Sequence, residues 1–180
     1  MSVFPHDIVA LWREAGPQRW FTKDEAFDAK LRAAWLGAHE RAARGDLRGW
    51  ARNPEGALAL LLLLDQFPRN AFRGEARAFA TDAMARGIAG DAVARGFDAR
   101  VEPTLRQFLY VPFMHSETLA DQDTGVALYH AAGDHNGESF ARVHRDIIAR
   151  FGRFPHRNAA LGRATPGEEK AFLDAGGFAG

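Results

Sequence analysis

Apolar side chains recur at intervals of three and four along almost the whole of this 180-residue chain, and no stretch alternates strictly or concentrates β-branched residues. A period near 3.6 buries one stripe of a helix, whereas a strand needs a period of two. The pattern therefore predicts an all-α protein. It places nine helices near residues 6 to 15, 23 to 44, 54 to 66, 75 to 80, 82 to 95, 103 to 110, 112 to 132, 137 to 151 and 166 to 175. In the second of these, Phe27, Leu31, Ala34, Trp35 and Ala38 share one face and leave Lys30, Arg32 and Glu40 in water. The third is apolar nearly all round from Ala57 to Leu64, which predicts a central helix covered by its neighbours. Helix starts are read from Thr22 with Glu25 and Thr165 with Glu168 as capping boxes, and from Pro54 after Asn53 and Pro166 after Thr165 as first-turn prolines. Glycines at 45, 74, 96, 133 and 137 are read as turns between packed helices.

With 47% hydrophobic residues and no linker-like segment, residues 1–180 are expected to form one compact helical domain. Lysine plus arginine equals aspartate plus glutamate at 23 each, so no global field recruits nucleic acid or an acidic membrane. There is no aromatic-basic strip either, and a nucleic-acid partner is not expected. Only Lys23, Lys30 and Lys170 are lysines, so the cationic side is almost all guanidinium, the better fork for carboxylate or phosphate. The absence of cysteine excludes disulfides, thiolate zinc sites and thiol nucleophiles. The longest apolar run, Ala57 to Leu64, falls far short of the roughly 20 residues that span a bilayer, and no membrane partner is expected. The opening MSVFPHDIVALWREAG has neither a basic n-region nor a small-residue cleavage site, which leads to the expectation of a cytoplasmic protein. P-loop, dinucleotide-binding glycine and nucleophile-elbow patterns are all missing.

Chemistry concentrates in three places. Asp65-Gln-Phe-Pro-Arg-Asn70 closes the central apolar run, His115-Ser-Glu117 follows Tyr110-Val-Pro-Phe, and His144 to Arg163 crowds histidines, arginines and an asparagine around a second Phe-Pro. The two Phe-Pro pairs are each expected to end a helix, because a residue before proline is pushed out of the helical region.

These stretches, together with Trp20-Phe21, AFATDAMA (78 to 85), ADQ (120 to 122), RFGRFPHRN (150 to 158) and LGRATPGEEKAFL (161 to 173), resemble a mainly bacterial family known only as domain of unknown function 924. The resemblance covers almost the whole chain. It implies an all-helical fold with tetratricopeptide-like antiparallel helix packing, and no established activity. The family's Phe-Trp-Phe near the start stands here as Leu11-Trp12-Arg13.

Each motif has a functional and a purely structural alternative. His144 lies four residues from both Phe140 and Ile148, on the apolar stripe, where it acts in acid-base or ligand chemistry or is a core histidine bonded to a carbonyl or an acid. His115 and Glu117 are placed in the first turns of a helix opened by Pro112, with Asp121 one turn further on the same face. Such a set divides acid and base roles or holds Mg or Mn through Asp121; otherwise its acids simply complement a helix dipole. Arg153, His156, Arg157 and Asn158 form the preferred binding site, joined by Asp65, Arg69 and Asn70; the structural alternative is that Asp65, Asp121 or Glu117 consumes the guanidiniums of Arg150, Arg153, Arg157 and Arg163, and that Asp65, Arg69 and Asn70 give support, with Asp65 orienting an arginine or a histidine. Tyr110, Phe108 and Phe113 are expected to supply apolar walls.

The leading expectation is a helical binding domain whose arginine- and histidine-rich pocket takes a small anionic molecule or an acidic peptide end, without a cofactor. One alternative is a hydrolase, metal-assisted or not, acting on a phosphorylated or carboxylated metabolite, with His144 or His115 as base and Glu117 as partner. Another is a scaffold for a protein partner.

Overall fold

The computed structural model describes residues 3–178, and every regular element among them is helical. Along the chain these are α1 (Pro5–Ala15), α2 (Pro17–Trp20), α3 (Glu25–Ala43), α4 (Pro54–Leu61), α5 (Phe67–Ala71), α6 (Asp82–Ala94), α7 (Val111–Met114), α8 (Leu119–Ala131), α9 (His135–Phe151) and α10 (Gly167–Asp174). Tighter 3-10 turns fill several of the connections. None of the helices is long and apolar enough to cross a membrane, among the described residues.

The residues group into two compact units. One comprises the described residues up to Arg73 together with Arg77–Pro112; the other comprises Gly74–Ala76 and the described residues from Phe113 onward.

In the first unit α4 is the centre. Every residue from Gly56 to Gln66 is buried, as the unbroken apolar run requires, and α1, α6 and the 3-10 turn Arg48–Arg52 pack around it. Asn53 caps α4 by accepting from the Gly56 N–H at 2.9 Å, with Pro54 in the first turn. On α3, Phe27, Leu31, Trp35 and Ala38 are buried; Ala34 is exposed, and the stripe continues instead through His39 and Ala42. Trp12 gathers an aromatic cluster: Trp20 stacks on it at 6.3 Å and Phe108 meets it edge-on at 5.5 Å. The Trp20 indole donates to the Trp12 carbonyl at 2.7 Å, so the ring's polar edge is satisfied inside the core.

Several expected boundaries change because side chains capture backbone groups. The cap of α3 is Asp24, which accepts from the Phe27 N–H at 3.0 Å, in place of Thr22. Thr22 instead donates its hydroxyl to the Gln18 carbonyl. No side chain caps α10, whose N-cap is Pro166, so the expected box at Thr165 does not form. The expected helix over 103 to 110 is only a 3-10 turn, Arg106–Leu109, anchored to Asp98 by the Arg106 guanidinium and the Tyr110 hydroxyl. Gly137 lies inside α9 instead of at a turn.

The Phe67-Pro68 pair does not end its helix. Between α4 and α5 the chain runs through a π turn, Leu62–Gln66, in which the Phe67 N–H reaches back five residues to the Leu62 carbonyl, and Phe67 keeps helical angles (φ −54°, ψ −45°). Pro68 has no N–H to continue that pattern. The carbonyls left over are taken by side chains: His39 Nδ1–H donates to Leu63, the Thr81 hydroxyl to Leu64, and Arg69 Nη1 to Asp65. Because a carbonyl only accepts, this contact fixes His39 as the Nδ1–H tautomer.

In the second unit α8 and α9 form a tightly packed antiparallel pair joined across Asp134, which caps α9 by accepting from the Gly137 N–H at 2.9 Å. The buried stripe of α9 is Ala141, His144, Ile147 and Ile148. Ile147 and Ile148 pack with Phe154, and Phe151, Phe172 and Phe178 close around them.

Candidate functional site

The expected helix over 112 to 132 breaks between Met114 and Leu119, and that break builds one side of the second unit's polar centre. Gln122, fully buried, donates its amide to the carbonyls of Met114 and Ser116 at 2.7 and 2.6 Å. Ser116 donates to Asp121 Oδ2 at 2.7 Å and accepts from the Thr118 N–H. These local bonds hold the chain out of helical form. Glu117 and Asp121 therefore do not share a helical face as the sequence suggested: Glu117 lies in the break and Asp121 in the first turn of α8.

Glu117 is instead gripped from the 150–165 segment. Arg163 forms a fork with it, at 2.7 and 3.0 Å, and the Phe154 N–H donates to it at 2.8 Å. Burial by itself would raise this carboxyl, but those hydrogen bonds and the charges of Arg163 and Arg157 hold it below the usual range. Arg163 also donates to the Asn158 side-chain oxygen and to the Phe154 carbonyl. Asn158 donates onward to Glu169 at 2.6 Å, and Arg153 forks onto the same Glu169 at 2.8 and 3.1 Å. The Arg153 contact, followed by that of Asn158, holds the Glu169 carboxyl low despite the opposing effect of burial. Arg153 and Asn158 thus spend their hydrogen bonds on internal partners. The Arg163–Glu117 fork is the structural alternative that the sequence offered for the arginines of this segment, whereas Glu169 was not singled out from the sequence.

Beside this lattice stands a cluster of imidazoles. His115 from the end of α7, His144 from α9 and His156 from the 3-10 turn Pro155–Arg157 approach one another around Phe154 and Phe178. The His115 and His144 ring centres are 6.5 Å apart, and Phe154 lies 5.6 Å from His144 and 5.5 Å from His156. His144 is buried on the apolar stripe of α9, as its spacing implied, and its Nδ1–H donates to the Phe140 carbonyl at 2.8 Å. Arg157 is buried with its guanidinium 4.5 Å from the Phe154 ring centre. His115 and His156 are half-buried. Among the described residues no group of three His, Asp or Glu side chains is placed to hold one metal ion.

Asp65, Arg69 and Asn70 belong to the first unit and form networks there. Asp65 is buried, accepts from the Gln66 amide at 2.6 Å and lies 3.3 Å from Arg69, which forks onto Asp82 at 3.0 and 2.9 Å. Desolvation opposes the Arg69 charge, yet Asp65 and Asp82 hold its pKa above the ordinary value. Asn70 donates to Asp28, which Arg73 also grips. Burial holds the His39 imidazole below its ordinary pKa despite the bond to Leu63, so His39 is neutral near pH 7. Tyr110 and Phe108 are buried in the same unit, and the Tyr110 phenol, raised by burial and by its bond to Asp98, stays protonated. Two shallow clefts of about 380 and 540 Å³ also lie in this unit, and none of the sequence-predicted site residues lines either.

Residues 8–177 match the family described as "Bacterial protein of unknown function (DUF924)". A solved structure of a protein of unknown function, ATU0120 from Agrobacterium tumefaciens, is similar at 48% identity with a TM-score of 0.92, covering 95% of this chain and 97% of that one. No curated protein matches. The match over residues 8–177, nearly the entire chain, places this protein in the DUF924 family.

Proposed function

We propose that the second unit is a binding module for a small anion, carboxylate or phosphate, received by Arg157, His156, His144 and His115. The observation that carries this is the convergence of three imidazoles and a guanidinium, from three separate segments, around the rings of Phe154 and Phe178. An apolar wall with a few convergent polar groups is the usual make-up of a small-molecule site, and a guanidinium beside imidazoles favours negative charge. Arg153 and Asn158, expected as direct ligand contacts, act here as positioning residues: through Glu169 they hold the loop that carries His156 and Arg157.

Calorimetric titration with inorganic phosphate and with acetate at pH 6 tests the reading. Saturable binding weakened roughly tenfold to a hundredfold by His156→Ala and by Arg157→Ala is expected, the loss of one charge-assisted hydrogen bond. Unchanged affinity in both variants, with the fold verified by circular dichroism, overturns it.

A second reading, hydrolysis of a phosphorylated or carboxylated metabolite, draws support from His144. With its Nδ1–H held by the Phe140 carbonyl, the neutral ring would carry a base's lone pair on Nε2. Turnover of nitrophenyl phosphate or ester, abolished by His144→Ala, is its expected outcome; no turnover by the wild type removes it.

A further inference from the structure

The segment after α10 returns to the imidazole cluster. Gly176 adopts a positive φ of 79°, and the Gly177 N–H donates to the Phe172 carbonyl at 3.0 Å. A Cβ at Gly177 would lie 2.5 Å from the Phe172 ring, so the turn needs a residue without a side chain there. Phe172 is itself fixed by a ring contact with Phe151 at 5.2 Å. This tightly specified turn delivers Phe178 to the site. Its ring centre is 4.4 Å from that of His144 and 5.3 Å from that of His156, tilted against the first and edge-on to the second.

We propose that Phe178 occupies, from within the chain, the aromatic slot of the anion site, and that the external ligand is an arylalkyl carboxylate whose ring displaces it. The inference rests on the binding function proposed above. A ring seated against both His144 and His156 defines a slot of phenyl size, flanked by the groups that would receive the carboxylate: Arg157, which stacks on Phe154, and His115, next to His144. A ligand carrying both features satisfies the apolar slot and the cationic edge together, whereas phosphate or acetate uses only the second. Phe178 then acts as a built-in competitor. A plug closed nine-tenths of the time lowers apparent affinity about tenfold, because only the open fraction binds.

The test is titration of wild type, Phe178→Ala and Phe178→Leu with 3-phenylpropionate and, separately, inorganic phosphate, following the ring resonances of His144 and His156. Phe178→Leu keeps an apolar side chain in the core and guards against loss of the fold. Binding of 3-phenylpropionate tightened about tenfold in both variants, and by more than any gain for phosphate, is the expected result. Equal 3-phenylpropionate affinity in wild type and variants, while phosphate still binds and is weakened by His156→Ala, overturns the plug and leaves the anion site standing. No binding of either probe to any of the proteins overturns both.

Discussion

The chain uses Phe-Pro twice, at Phe67-Pro68 and at Phe154-Pro155, each followed closely by arginine and asparagine, and folds them in opposite ways. Phe67 stays helical and the chain continues through Pro68 into α5. Phe154 is extended (φ −91°, ψ 109°), and Pro155 opens a 3-10 turn. Local sterics favour the second outcome before any proline. The first is held against that preference by tertiary contacts: a π turn, with His39, Thr81 and Arg69 accepting the role of donor to three successive carbonyls. At the second, Gly152 (φ 67°) has already ended α9, and Glu117 captures the Phe154 N–H. One motif is a continuation imposed by the core; the other is a break that carries His156 and Arg157 in a 3-10 turn.

Substitutions at four positions would break or sharpen this contrast. His39→Ala is expected to cost the most, about 3 kcal/mol by denaturant unfolding, since it leaves the Leu63 carbonyl without its donor and opens a cavity beside Phe67 and Phe72. The His39 pKa is depressed by burial, so the wild type loses stability as pH falls below the unfolded value of about 6.5, and His39→Gln flattens that slope.

Arg163→Ala is expected to cost about 2 kcal/mol, because Glu117, Asn158 and the Phe154 carbonyl lose a shared donor. Its signature is in acid. Glu117 and Glu169 both have depressed pKa values, so their contribution is full above about pH 4.3 and disappears as pH falls through the folded-state values. The variant should show a shallower acid limb than the wild type when unfolding is measured against pH.

Thr81→Val, which removes the donor to the Leu64 carbonyl and keeps the shape, is expected to cost about 1 to 2 kcal/mol. Faster amide exchange confined to the α4–α5 junction would show that the π turn depends on that bond. Gly152→Ala is expected to cost about 1 kcal/mol, the penalty of a Cβ in the left-handed region, and to loosen only the second motif. A larger effect of Gly152→Ala than of His39→Ala would reverse the comparison: local backbone geometry would then matter more than captured carbonyls.

Much of this was legible beforehand. The all-helical class follows from the 3.6 period, the central helix from an apolar run with no polar face, and the burial of His144 from its spacing to Ile148. The cap at Asn53 follows from one short side chain before a proline. The candidate site was only half legible. The sequence marked His115, His144, His156 and Arg157 and offered as an alternative that Glu117 consumes an arginine of this segment, as Arg163 shows; yet it also grouped Glu117 with Asp121 on one helical face and assigned Arg153 and Asn158 to a ligand when Glu169 and Arg163 engage them. Charge pairing across 46 positions, as between Glu117 and Arg163, has no local signature.

What this chain determines by sequence alone is its class and the rough inventory of its polar groups, because helical burial and first-turn caps are interactions within a few residues of one another. Which guanidinium meets which carboxylate, whether a Phe-Pro ends a helix, and that Phe178 returns to His144 and His156 were decided only by tertiary structure. The physical reason is the same in each case. A freed carbonyl, an N–H at a break or a buried charge must find a partner when water is excluded, and the partner is whichever side chain the packed core brings within reach.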